Sequence, residues 1–239
     1  PFLIGGSCDL SSSCKTNLND YLIFSSENRD GRNIYFGIRE HAMSGVLNGM
    51  ALSGLRPFGS TFLTFSDYMK PGIRMSAMMN LPVIYIFTHD SITVGEDGPT
   101  HHPIEQLASL SLIPNLKVYR PYDLNELIGS YMDIMNNTSP SALILPRDNK
   151  EISELTKING VFDGMYVVLD SLKDDYINLI TNGEELGLVL EVAKNLRELD
   201  IGVRVISIPC LKNVKPKEKA KLLEKRTIGI TLGVPDYLY

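Results

Sequence analysis

The chain has 239 residues, 44% of them hydrophobic, and a formal net charge of −5. That is enough for one large or two small packed domains. It gives no global cationic field for nucleic acid and no apolar run near the ~20 residues of a membrane span, so neither partner is expected. The three cysteines, Cys8, Cys14 and Cys210, fit neither a zinc spacing nor a disulfide framework, which predicts reduced thiols in a cytoplasmic protein. The sequence starts at Pro1 and stops at Tyr239, soon after a strand-like run, and both ends read as internal to a longer protein.

In chain order, the spacing predicts a short strand at 34–36 and a helix over 40–52, with Met43, Val46, Leu47, Met50 and Ala51 at helical intervals. Gly54 stands where a C-terminal cap belongs. A strand at 57–62 and a helix at 66–79 follow, with Pro71 disturbing the first turn of the latter. The apolar run 81–87 reads as a buried strand. Next come a polar loop, a helix at 104–110 and a strand at 117–119. Asp123 caps a helix running to about 135, and a strand follows at 141–145. Residues 151–165 read as a polar linker. Beyond it, strands at 176–180, 203–208 and 228–232 alternate with helices at 184–199 and 215–224. Such alternation predicts two α/β domains with parallel sheets, at 1–150 and 166–239, the second incomplete because only three strands can be counted. Residues 212–226 hold seven Lys or Arg and read as a solvated helix face.

The loop after the buried strand carries the strongest chemical signal. It holds three of the chain's four histidines, His89, His101 and His102, with the acids Asp90, Glu96 and Asp97. Gly95, Gly98 and Pro99 shape the turn between them. Polar groups at the C-terminal end of a buried strand are where open α/β sheets carry their sites. Other features have two readings on the residues alone. Glu40 at a helix N-terminus is favoured as an anion by the helix dipole, or simply pairs with Arg39. Phe62, Phe65 and Tyr68, three apart, fit core packing. Ser11, Ser12 and Ser13 lie in a loop that cradles an anion or is merely polar. Arg147, after the strand at 141–145, is a phosphate ligand or a surface ion pair.

Together these segments resemble the transketolase family. The strings GGSCDL (5–10), YFGIREHAM (35–43), STFLTF (60–65), THDSI (88–92), GEDGPTH (95–101) and RP (120–121) look like its motifs, in order and at familiar spacing. The resemblance covers residues 1 to about 147 closely and continues more weakly to 239. It implies a pyrimidine-type thiamine diphosphate-binding domain followed by part of the family's C-terminal domain. It implies an enzyme of the pentose phosphate pathway that moves a two-carbon ketol unit from a ketose phosphate such as xylulose 5-phosphate to an aldose phosphate such as ribose 5-phosphate. Dihydroxyacetone synthase, or a non-catalytic fragment that keeps the fold, are the alternatives.

The resemblance also implies roles. Glu40 matches the glutamate that hydrogen-bonds the cofactor's pyrimidine ring nitrogen. Phe62, Phe65 and Tyr68 match the aromatic pocket around that ring, so the stripe becomes a cofactor wall. Asp9 matches an acid near the thiazolium. His89 and Asp97 match contacts to the sugar-phosphate donor, and His101 a histidine that orients it and moves protons. Ser13 and Arg147 match ligands of the sugar's phosphate, in keeping with arginine's fit to phosphate oxygens. The family works as a homodimer, with each site completed by an N-terminal domain that holds the diphosphate and Mg²⁺ or Ca²⁺. No metal-diphosphate motif occurs in this sequence, so no metal ligand is expected here and the chain alone is expected to be inactive. Cys8 and Cys14 stand where small or polar residues are usual, and His102 where glutamine is common.

Overall fold

The computed structural model describes residues 3–238. The chain forms two compact units. The first takes in residues up to Lys117 together with Asn137–Arg147; the second takes in Val118–Asn136 and everything from Asp148 onward. Compactness therefore groups 118–136 with the second unit, whereas the sequence reading ran the first domain without interruption to 150.

The first unit is built on strands β1 (Leu3–Ser7), β2 (Asn33–Tyr35), β3 (Arg56–Phe62), β4 (Ile84–Thr88) and β6 (Ser141–Ile144), with β5 (Lys117–Tyr119) at the passage to the second unit. The sheet order is β2-β1-β3-β4-β6-β5. The pairings of β1 with β2, β1 with β3, β3 with β4 and β4 with β6 are all parallel. The helices of this unit are α1 (Ser11–Cys14), α2 (Glu40–Leu52), α3 (Lys70–Met78) and α4 (Gln106–Ser111). Met43 and Leu47 of α2, Ile73 of α3 and Tyr85 and Phe87 of β4 are fully enclosed, so strand and helix faces meet in one core.

β1 is absent from the sequence reading, which assigned no strand before 34 and placed Ser11, Ser12 and Ser13 in a loop. Glycines weaken a strand signal, and here they are what lets the strand form. A Cβ on Gly5 would lie 1.8 Å from the Phe58 carbonyl oxygen, and one on Gly6 2.1 Å from that of Ile34. Ser11–Cys14 is a single helical turn rather than loop. The predicted helix at 66–79 divides in two: a 3-10 helix over Leu63–Tyr68, then α3. In a 3-10 helix, side chains three apart share one face, which is why the aromatic spacing is three.

The second unit contains α5 (Leu124–Asn136), α6 (Gly160–Asp163), β7 (Tyr166–Leu169), β8 (Ile177–Thr181), α7 (Glu185–Glu198), β9 (Val203–Ser207), α8 (Pro216–Leu222) and β10 (Thr227–Gly229). Its four-stranded sheet runs β10-β8-β9-β7. β8 pairs in parallel with β9 and β10, but β7 is antiparallel to β9. The sequence reading counted three strands and missed β7. Its core gathers Val168, Leu179, Leu186, Val189, Val203 and Val205. Glu126 of α5, wholly buried, accepts hydrogen bonds from the Tyr166 hydroxyl (2.7 Å), the Ser207 hydroxyl (2.6 Å) and the Tyr122 N–H (2.8 Å). Burial pushes its carboxyl above the usual range.

Candidate functional site

Because the strands of the first sheet are parallel, their C-terminal ends share one edge. Every candidate residue follows one of those ends. Asp9 and Ser13 follow β1, Glu40 follows β2, and Phe62, Phe65 and Tyr68 close β3. His89, Asp97 and His101 follow β4, and Arg147 follows β6. The chain leaves β1 toward β2 on one side and returns to β3 on the other. The reversal makes a crevice outside the carboxyl ends, where open α/β sheets bind ligands.

Aromatic rings gather there. Phe62 and Phe65 stack with centroids 6.0 Å apart and planes 7° apart. Tyr68 tilts against Phe65 at 6.2 Å, and more than half of its surface is exposed. Phe62 also stacks on the His89 ring at 3.8 Å. His101 meets Phe65 edge-on at 5.2 Å and Phe62 at 6.2 Å. The aromatic stripe and two of the loop histidines thus form one cluster. Its support comes from α4, where the buried Gln106 donates to the Asp67 carboxylate at 2.8 Å and accepts from the Ile104 N–H at 2.9 Å. Sequence reasoning missed Gln106, and nothing in its spacing marks it.

His89 has φ of +61° and is 6% exposed. A left-handed backbone is uncommon outside glycine, although histidine is among the residues enriched there. The turn throws the ring back over Phe62. Its Nδ1 lies 2.9 Å from the Thr88 hydroxyl. His101 Nδ1 is likewise 2.9 Å from the Thr100 hydroxyl. Between the two histidines, a 3-10 helix at Ile92–Asp97 breaks at Gly95, φ +77°. Arg147 fastens this loop. Its Nη1 donates to the carbonyls of Val94 (3.2 Å) and Thr93 (3.4 Å). His102 Nε2 lies 3.3 Å from the Gly95 carbonyl oxygen. Asp97 is exposed on the same loop.

Glu40 is the first residue of α2 and 8% exposed. α2 packs on β3 and on the 3-10 helix that carries the rings. A carboxylate at a helix N-terminus, on a helix packed against flat rings, suits a flat heterocycle with a polar edge: rings for the faces, the carboxylate for a ring nitrogen. Asp9 and Ser13 are exposed beyond β1. Among the described residues no group of three or more His, Cys, Asp or Glu is arranged to hold a metal ion, and no helix is long and apolar enough to cross a membrane.

Residues 1–151 match the family model of the transketolase pyrimidine-binding domain, and residues 164–236 that of the transketolase-like C-terminal domain. Transketolase of Bacillus subtilis is 47% identical over 218 residues, covering 88% of this chain and 32% of the relative. The solved transketolase of Leishmania mexicana superposes with a TM-score of 0.94 at 38% identity, covering 99% of this chain and 36% of that one. A Pichia stipitis transketolase solved with sedoheptulose-7-phosphate superposes at 0.93, with 33% identity over 98% of this chain and 36% of that one. The chain therefore spans about a third of the length of the relatives it matches.

Proposed function

The chain belongs to the transketolase family, and from that premise we propose that it forms the pyrimidine-binding half of an active site that moves a two-carbon ketol unit between sugar phosphates. The observation that carries this reading is the convergence of Glu40, the Phe62–Phe65 stack, His89, His101 and Arg147 on one sheet edge. Their chemistry fits thiamine diphosphate, which when bound supplies the electron sink that a ketose carbon–carbon cleavage needs. Glu40 accepts a hydrogen bond from the aminopyrimidine and holds a proton at its ring nitrogen. Phe62, Phe65 and Tyr68 cover the ring and exclude water. Asp9 would be the acid nearest the thiazolium.

The remaining groups suit a sugar phosphate, the substrate class supported by the sedoheptulose-7-phosphate complex of the Pichia stipitis relative. His89 and Asp97 bind hydroxyls. His101 binds a hydroxyl and moves its proton, the usual service of an imidazole near neutral pH. Arg147 and Ser13 hold the phosphate. For that, Arg147 exchanges its bonds to the Val94 and Thr93 carbonyls for stronger ones to an anionic acceptor. The diphosphate and its Mg²⁺ or Ca²⁺ are held by a part of the enzyme outside this chain, and the working form is a homodimer in the cytoplasm.

The test is ketol transfer from xylulose 5-phosphate to ribose 5-phosphate by the chain assembled with a transketolase N-terminal domain. Glu40→Gln removes the proton-holding carboxylate but keeps its shape. Activity should fall at least ~100-fold, the scale of a lost general acid–base group. Retention of activity in Glu40→Gln would overturn the assignment.

A further inference from the structure

We propose that Gln106 is a positioning residue that clamps the His101 loop to the aromatic wall and holds the two in one register. The clamp follows from the geometry of the first unit; the reaction it serves rests on the function proposed above.

Gln106 opens α4 and is 4% exposed. Its amide makes two hydrogen bonds of opposite sense. Nε2 donates to Asp67 Oδ2 at 2.8 Å, and Oε1 accepts from the Ile104 N–H at 2.9 Å. A carboxylate offers lone pairs and a backbone N–H offers a proton, so these partners admit one orientation of the amide. The anchors lie far apart in sequence, and each adjoins a group assigned to the site. Asp67 sits in the 3-10 helix between Phe65 and Tyr68. Its other oxygen, Oδ1, is taken by Lys70 Nζ at 2.6 Å, which leaves Oδ2 to Gln106. Ile104 is three residues beyond His101, whose ring meets Phe65 edge-on at 5.2 Å. An edge-on ring contact tolerates sliding, whereas two short hydrogen bonds from one buried amide do not. The wall has other supports, because α2 and β3 also pack on the 3-10 helix. The His101 loop reaches the wall through α4. Gln106 therefore acts on substrate only through His101.

The test is ketol transfer by the chain assembled with a transketolase N-terminal domain. Gln106→Glu keeps the acceptor for Ile104 but turns the donor into a carboxylate oxygen facing Asp67. Here kcat should fall about tenfold, since a displacement of ~1 Å can cost about a hundredfold. The thiamine diphosphate requirement should stay nearly constant, because α2 and β3 still hold the wall. Adding Asp67→Asn to Gln106→Glu reverses the bond, the Asn amide now donating to the Glu carboxylate, and should recover most of kcat. Asp67→Ala, at a side chain 39% exposed, breaks the same bond from outside and should lower kcat alike; it decides the matter if Gln106→Glu does not fold. The readout peculiar to positioning is coupling: in a His101→Ala background, Gln106→Glu should cost little more. An equal loss in both backgrounds means general structural support and overturns the proposal. So does full kcat in both Gln106→Glu and Asp67→Ala, or a reversed pair no faster than Gln106→Glu. Amide hydrogen exchange in the chain itself checks the clamp apart from the reaction. The Ile104 N–H should be protected in the unaltered chain and in Gln106→Glu, and should exchange freely in Gln106→Leu. An unprotected Ile104 in the unaltered chain overturns the clamp whatever the enzyme does. Protection in this pattern, with no ketol transfer by the unaltered assembly, would sink the functional reading and leave the clamp standing.

Discussion

Cys8 lies just past β1, 3% exposed, and its thiol faces Met43 Sδ at 3.7 Å. Burial pushes the thiol up to about 12 from an ordinary value of 9.0; the Arg39 backbone N–H pulls the other way, and Glu40 and Asp9 add to the rise. The folded chain therefore holds this proton more tightly than the unfolded chain does. Below about pH 9 both states are protonated and Cys8 leaves stability unaffected by pH. Above it the unfolded thiol ionises while the folded one does not, so stability falls as pH rises toward about 12. Cys8→Ser removes this titration. Melting temperatures measured from neutral to alkaline pH should fall less steeply in Cys8→Ser than in the unaltered chain; parallel curves would refute the account. The thiolate is also the reactive form. Iodoacetamide should spare all three buried cysteines in the native protein and label them in denaturant.

At the scale of elements, a buried ion pair ties Arg120 to Glu185 of α7. Arg120 Nη1 donates to Glu185 Oε1 at 2.7 Å and to Asn182 Oδ1 at 3.0 Å, and both charged residues are 2% exposed. Glu185→Ala leaves a buried guanidinium without its counter-charge and should cost about 3–5 kcal/mol. Replacing both partners, Arg120→Met with Glu185→Leu, should recover most of that in urea unfolding. A double variant no better than the single would mean the pair itself is a net stabiliser. The sequence made Arg120 visible only as part of a two-residue motif and Glu185 only as one residue of the helix at 184–199. Burial is a tertiary property, and a charged residue carries no sign of it. The helices with strong apolar periodicity were legible. The bounds of α2 are those predicted, and α5 and α7 shift by a residue. What escaped was structure made by close approach. β1 needs Gly5 and Gly6 where a strand ordinarily needs bulk, and the short, antiparallel β7 was invisible to a rule that expects parallel strands between helices. The site shows the same division. Its histidines and acids stood out as a cluster, while Thr88 and Gln106, ordinary types at ordinary spacing, gained their positions only through the fold.

For the whole molecule, charge decides what this chain does alone. The sheet edge that gathers the aromatic rings also gathers Asp9, Glu40, Glu96 and Asp97, against Arg39 and Arg147. Thiamine diphosphate brings a flat ring that this edge suits and a multiply charged diphosphate that it does not. A diphosphate facing several carboxylates is repelled unless a cation intervenes, and no group of metal-ligating side chains is arranged among the described residues. Binding by the chain alone should therefore be weak. A ligand that binds only the folded state raises stability by RT ln(1 + [L]/Kd), so weak binding means no thermal shift. Thiamine diphosphate with magnesium should leave the melting temperature of the lone chain unchanged, and no ketol transfer should be measurable. Adding a transketolase N-terminal domain should restore both, the thermal shift growing with cofactor concentration. A chelator should then abolish the shift and the activity while the lone chain's melting temperature stays where it was. A clear shift or turnover in the lone chain would mean that this edge neutralises a diphosphate unaided, and the division of labour argued from its charges would fall.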